Sequence, residues 1–262
     1  MEFGINVKNL KAGYDGRIII ESIGIEIPKN KIISIIGANG CGKSTLLKAI
    51  GRIIKIESGN IYLCDEDIKQ MKTKYIAKKM AILPQMPVAP LSITCRELIA
   101  YGRFPYQKGL GRMNNQDKKI VQWALEATKM TEFADREIGS LSGGQKQKVW
   151  IAMALAQQTD FLLLDEPTTY LDLAHQLDVL DLLKKLNEDE HITIVMVLHD
   201  LNLASIYSDY IFVMGDGNVK YQGTPAQVIN KDMLKECFNV DANIILDKKT
   251  KKPVCLSFTK LD

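Results

Sequence analysis

Long apolar runs are missing from this chain. A helix needs roughly 18–20 consecutive apolar residues to cross a bilayer, and the longest run here, Ile192-Thr193-Ile194-Val195-Met196-Val197-Leu198, stops far short. The first ten residues carry Glu2 and neither an apolar core nor a small-residue cleavage site, so no signal peptide is expected. Charge of one sign is also lacking: 34 Lys+Arg stand against 31 Asp+Glu, and a net charge of +3 gives no reason to expect a nucleic-acid partner. Five cysteines, at 41, 64, 95, 237 and 255, are odd in number and include no Cys-x-x-Cys pair. With only three histidines to help, neither a disulfide framework nor a zinc cluster is expected, and reduced thiols are. No internal repeat or low-complexity linker interrupts the 262 residues. What remains is an ordinary globular composition, 46% apolar and 25% charged, placed in the cytoplasm.

Strand-like segments open the chain: Ile5-Asn6-Val7, Ile18-Ile19-Ile20, and the alternating Ile23, Ile25 and Ile27 before Pro28. Ile32 to Ile36 is a short, almost wholly apolar run ending at Gly37, the pattern of a buried parallel strand, and a helix should follow from Lys43 or Ser44 to about Gly51. Asn60–Leu63 and Met80–Leu83 are further strand candidates. From Cys95 the period becomes helical, over Arg96–Tyr101, Asp117–Met130 and Gly144–Ala156, and residues 88–156 read as a helical insertion. Strand signal returns at Phe161–Leu164, a helix is expected from Leu173 to about Leu186, and the apolar run 192–198 follows. This alternation predicts an α/β fold with a mainly parallel sheet and crossover helices. The tail beyond Gly223 is mixed, and Asp247–Lys252 reads as a solvated lysine-rich turn.

Gly37-Ala38-Asn39-Gly40-Cys41-Gly42-Lys43-Ser44 fits G-x-x-x-x-G-K-[ST] between a strand and a helix, the context that motif requires. Its backbone N–H groups can turn inward around phosphate oxygens, Lys43 adds a point charge and Ser44 can ligate Mg²⁺. Asp165 and Glu166 end a buried strand, where ligands bind in open α/β sheets. There Asp165 can hold a magnesium hydration shell and Glu166 can orient or deprotonate an attacking water. Leu141-Ser142-Gly143-Gly144-Gln145 opens a helix; it reads either as a second anion-binding N-terminus or as an N-cap with a flexible entry turn.

Leu141 to Gln145 resemble the signature of the ATP-binding cassette family. Taken with the phosphate loop, Asp165-Glu166 and a distal His199, the resemblance covers nearly the whole chain. It implies a P-loop NTPase core with an antiparallel β subdomain (1–87 and 157–223), a helical subdomain (88–156) and a C-terminal extension (224–262) in a single ATPase domain. ATP with Mg²⁺ would be bound at Gly37 to Ser44 and Thr45, the ion held by Ser44, Gln85 and Asp165. The resemblance also implies a head-to-tail dimer in which Ser142, Gly143 and Gly144 of one copy close over ATP bound at Lys43 of the other. By position it gives Tyr14 an adenine-stacking role, Gln85 a contact to Mg²⁺ and the attacking water, Asp172 a place in the loop that crosses the dimer interface, and His199 a bond to the γ-phosphate. Two departures stand out. Tyr170 replaces the usual small residue before Leu171, and Lys146 and Lys148 stand where many relatives carry arginine. Cys41, at a helix N-terminus, is expected to favour thiolate and to be selectively alkylated.

One phosphate loop excludes a double-cassette protein, and 98 positions between Lys43 and Leu141 leave no room for a long coiled-coil insertion. A transporter ATPase is expected, at the cytoplasmic face of the membrane, with separate permease subunits and an extracytoplasmic substrate-binding protein. Thr94 to Tyr106 and Thr168 to Gln176 resemble the importers of iron–siderophore, haem and cobalamin complexes. The other readings are import of another metal or oxyanion, an ATP-driven dimerisation switch acting on a soluble partner, and a P-loop kinase.

Overall fold

The computed structural model describes residues 2–107 and 113–261. Residues 108–112, inside the expected helical insertion, and the two end residues of the expected single domain lie outside the described residues. The first part of the chain forms β1 (Phe3–Tyr14), β2 (Arg17–Pro28), β3 (Ile32–Gly37), α1 (Lys43–Ile50), β4 (Ile56–Leu63) and β5 (Glu66–Asp67). Then come α2 (Thr73–Lys79), β6 (Met80–Leu83), α3 (Cys95–Ala100), a 3₁₀ turn over Tyr101–Tyr106, α4 (Asn115–Ala127), α5 (Gly143–Ala156), β7 (Phe161–Leu164) and α6 (Leu173–Glu190). The last part holds β8 (Thr193–Val197), α7 (Leu201–Tyr207), β9 (Tyr210–Gly215), β10 (Asn218–Gly223), α8 (Pro225–Val228), α9 (Lys231–Phe238), β11 (Val240–Leu246) and β12 (Pro253–Lys260). Contacts gather these elements into two compact units: the chain up to Met71 with the chain from Thr193 onward, and Lys72–Ile192.

In the first unit β2, β1, β4 and β5 form an antiparallel sheet in that order. Asp15 and Gly16, both at positive φ, make the tight turn that suits an antiparallel hairpin. The expected pieces 18–20 and 23–27 are one twelve-residue strand; shifts of register against β1 absorb the polar Glu21-Ser22 between them. In the unit's other sheet β3 lies between two parallel neighbours, β8 and β9, and β10 pairs antiparallel with β9. All six residues of β3 are buried, which explains its apolar sequence. The tail beyond Gly223, mixed in sequence, is held by polar contacts to α7. Asn202 bonds the Cys255 backbone in both directions (3.0 and 2.8 Å), Ser205 donates to the Pro253 carbonyl (2.6 Å), and the Lys252 ammonium donates to the Ile206 and Ser208 carbonyls. Lys252 therefore caps the end of a helix and does not belong to the solvated turn that its lysine-rich surroundings predict.

In the second unit β6 and β7 pair in parallel. The described part of 88–156 holds α3, the 3₁₀ turn, α4 and α5, with Thr94, Asn114 and Ser142 each closing a capping box at a helix start. α6 runs four residues past the expected Leu186, because Asn187–Glu190 add no apolar residue to the periodic pattern yet contain no breaker before His191 turns left-handed at φ 56°.

Candidate functional site

The phosphate-loop motif leaves β3 at Gly37, whose φ is 148°. A Cβ there would lie 2.2 Å from the Met214 carbonyl oxygen, so only glycine lets the chain pass. Gly42, at φ 103°, is the N-cap of α1; it brings no capping side chain, and no acidic residue follows in the first turn. Side chains cap α3, α4, α5, α6, α7 and α9. At α1 the positive end of the dipole meets no capping side chain, an arrangement that suits an anion. Lys43 is buried, and its ammonium donates to the carbonyls of Gly37 and Ala38 at 2.9 Å each, which keeps the charge inside the curl of the loop. A cavity of about 350 Å³ flanks the loop, lined by Ala38 to Cys41 together with Arg17, Ile18 and Asp216.

Cys41 departs from expectation. The thiol is buried, and that burial pushes it above the ordinary thiol range against the opposing pull of the Lys43 charge. Tyr14 ends β1 with its side chain exposed, which leaves the ring free of the core. His199 follows β8; Val197 pairs with Ile35 of β3, so the histidine leaves the sheet at the same end as the phosphate loop, and it is exposed.

In the second unit, β7 is fully buried and delivers Asp165, itself buried, and the half-buried Glu166. The Asp165 N–H donates to the Leu83 carbonyl at 2.9 Å, which carries the β6 pairing one residue past the strand. Glu166 has φ 55°, a left-handed conformation uncommon outside glycine. One carboxylate oxygen, Oε2, accepts a short hydrogen bond from Gln85 Nε2 and another from Thr169 Oγ1 at 3.0 Å. Gln85 thereby keeps its own amide oxygen available for a cation. Ser142 is the N-cap of α5: its Oγ accepts from the Gln145 N–H (3.3 Å), and Gln145 Oε1 accepts from the Ser142 N–H (3.0 Å). Ser142 and Gly143 are exposed, whereas Leu141 and Gly144 are buried.

Residues 20–169 match the family model described as ABC transporter. The chain is 54% identical to the iron(3+)-hydroxamate import ATP-binding protein FhuC of Bacillus subtilis (strain 168), over 97% of this chain and 94% of that protein. It belongs to the ABC transporter family. Similarity extends to the petrobactin import ATP-binding protein FpuD of Bacillus anthracis, 48% identical over 99% of this chain and 95% of that one. Among solved structures, an ABC transporter in an inward-facing conformation is 27% identical with a TM-score of 0.84 and covers 100% of this chain and 98% of its own. The dimeric structure of the bacterial cassette MJ0796 is 31% identical with a TM-score of 0.74, covering 84% and 98%.

Within this ABC ATPase the sequence-predicted residues fall into two groups. Tyr14, Gly37 to Thr45 and His199 belong to the first unit; Gln85, Leu141 to Gln145, Asp165, Glu166 and Asp172 belong to the second. The structure joins Gln85 to Glu166 directly and brings Asp172 to Gly144 through His175. Sequence reasoning missed Thr169 and His175. The one available signal was spacing: His175 stands three residues after an N-capping Asp172, where N3 of a capped helix meets its cap. Lys148, one of the two lysines that stand where many relatives carry arginine, is engaged within the chain in an ion pair with Asp178 of α6 at 2.8 Å.

Proposed function

We propose that this ABC ATPase powers import of iron(III)–siderophore complexes through a separate membrane permease, working at the cytoplasmic face as a head-to-tail pair. The observation that carries the chemistry is the Glu166 carboxylate, aimed by Gln85 and Thr169 at the end of a buried strand. Lys43 and the first-turn amides of α1 hold the phosphates, and His199 donates to the γ-phosphate. Glu166 takes the proton of the attacking water. Ser44, Gln85 and Asp165 offer a hydroxyl, an amide oxygen and a carboxylate, hard oxygen donors that suit Mg²⁺. Among the described residues no group of three or more His, Cys, Asp or Glu could hold a metal, which fits an ion bound jointly with nucleotide oxygens. Held there, such an ion would supply positive charge against the phosphates of ATP.

No helix among the described residues is long and apolar enough to cross a membrane, so the permease is a separate chain in this reading. Met86, Val88, Leu91, Tyr101 and Phe104, which follow Gln85 in sequence, are exposed large apolar side chains of the kind a permease helix would cover. Iron-chelate cargo is supported by the names of FhuC and FpuD. A substrate-binding protein would deliver the chelate from outside.

Two measurements test this. Glu166→Gln should bind ATP, accumulate as an ATP-dependent dimer and lose turnover by about 100-fold or more; wild-type turnover would overturn the catalytic assignment. Cells lacking this chain should fail to take up iron(III)–hydroxamate or petrobactin complexes while importing cobalamin and haem normally. Unimpaired iron-chelate uptake, or a loss confined to cobalamin, overturns the cargo.

A further inference from the structure

Two elements of the second unit that face a partner's nucleotide in the proposed dimer, the Ser142–Gly144 segment and the loop ending at Asp172, are joined by His175, which belongs to neither motif. Asp172 caps α6, and a single carboxylate oxygen, Oδ1, accepts both the His175 backbone N–H (2.9 Å) and its ring Nδ1 (2.7 Å). These two bonds hold the Asp172 carboxyl below the usual carboxylate range, and an ionised carboxylate can only accept, so Nδ1 carries the hydrogen. The Cγ–Cδ2 side of the ring lies against Gly144. A Cβ on that glycine would sit 2.4 Å from His175 Cδ2 and 2.8 Å from Cγ. One turn further along both helices, Lys148 of α5 pairs with Asp178 of α6. The start of the signature helix and the start of α6 thus meet at two successive points, His175 on Gly144 and Lys148 on Asp178.

We propose that His175 is a positioning residue that makes the Ser142–Gly144 segment and the Asp172 loop move as one body, so that closure of either over a partner's ATP carries the other. The proposal rests on the head-to-tail reading above. A ring fixed by Asp172 at Nδ1 and seated on a bare glycine at Cγ and Cδ2 is a rigid strut. Removing the ring leaves each element to reach its contacts separately, and misplacement on the scale of an ångström costs about 10- to 100-fold in rate.

The test uses the full chain with His175→Ala and His175→Asn, asparagine restoring a donor near the position of Nδ1. His175→Ala should lower kcat about tenfold and shrink the ATP-dependent dimer fraction of a Glu166→Gln background. Binding of a fluorescent ATP analogue to the monomer should stay within about twofold, since the phosphate loop lies in the other unit. His175→Asn should recover part of both losses. Wild-type kcat and dimer fraction in His175→Ala would overturn the proposal, and so would equal loss of monomer nucleotide binding in both variants, which marks a general folding defect. Should Glu166→Gln alone form no ATP-dependent dimer, the head-to-tail reading falls first, and with it the ground for this inference.

Discussion

Glu166 occupies a left-handed conformation that costs a non-glycine residue on the order of 1–2 kcal/mol. Two donors, Gln85 and Thr169, meet its carboxylate there. Removing one of a pair of aiming donors should disturb the chemical step more than substrate binding. Thr169→Val is therefore expected to lower kcat by roughly 3- to 10-fold with the KM for ATP little changed, read from steady-state ATPase assays; a rise in KM alone would count against the aiming role. Cys41 supplies the opposite lesson. Its position beside Lys43 at a helix N-terminus argues for thiolate, but burial, which spacing does not reveal, prevails. Maleimide should therefore label the half-buried Cys64 before Cys41 at neutral pH, and the Cys41 rate should climb as pH rises past about 8.5. The placement of Gly37 to Ser44 between β3 and α1, and of Asp165-Glu166 after β7, was legible in the sequence because apolar strand runs and glycine spacing mark those turns. Thr169 and His175 were not, because each acts through a local turn whose conformation decides what its side chain meets.

Among the helices, the segment from α3 to α5 depends on one buried ion pair. Arg103 Nε donates to Asp117 Oδ1 at 2.9 Å, and Nη1 reaches the Ala156 carbonyl (2.7 Å) and Gln158 Oε1 (3.1 Å). The guanidinium carbon stands 3.9 Å from the centre of the Tyr106 ring. Asp117 also closes the capping box of α4, so a single carboxylate serves a helix start and a cross-chain tie. Both charges are almost wholly buried, and removing one strands the other. Arg103→Met should cost about 3–5 kcal/mol in urea unfolding, and Arg103→Lys should not recover it, because an ammonium cannot supply the same forked donors. The double variant Arg103→Met/Asp117→Leu should lie closer to wild type than either single change; additive losses would mean the two residues act independently. Helical periodicity located these elements well, since apolar spacing is local. It gave no sign of this pair, which closes over fourteen residues of sequence and becomes visible only once the helices pack.

Across the whole molecule, alternation of strand and helix was enough to foresee a mainly parallel sheet and to locate β3, β6, β7 and β8, because buried parallel strands leave nearly continuous apolar runs; β9, which pairs parallel with β3, was not among the expected strands. The tail resisted the same reading, as polar contacts from Asn202, Ser205 and Lys252 order it. A shared property of the buried thiols reaches both units. Burial raises Cys41, Cys95, Cys237 and Cys255, with Cys237 pushed up to about 11. Below the ordinary thiol value of about 8.5 folded and unfolded chains both hold these protons, and stability is insensitive to them. Between that value and the raised one, the unfolded chain releases protons that the folded chain keeps, so ionisation favours unfolding. For each such thiol, one pH unit in this window removes up to about 1.4 kcal/mol, and for a chain of this size about 1 kcal/mol moves Tm by ~2–4 °C. Tm should hold steady from pH 7 to 8 and fall from about 8.5 upward. The decisive comparison is with Cys237→Ala, whose Tm should fall less steeply than that of wild type over about pH 8.5 to 10.5, because one retained proton is gone. Parallel pH profiles for the two proteins would show that the Cys237 thiol ionises alike in folded and unfolded chains.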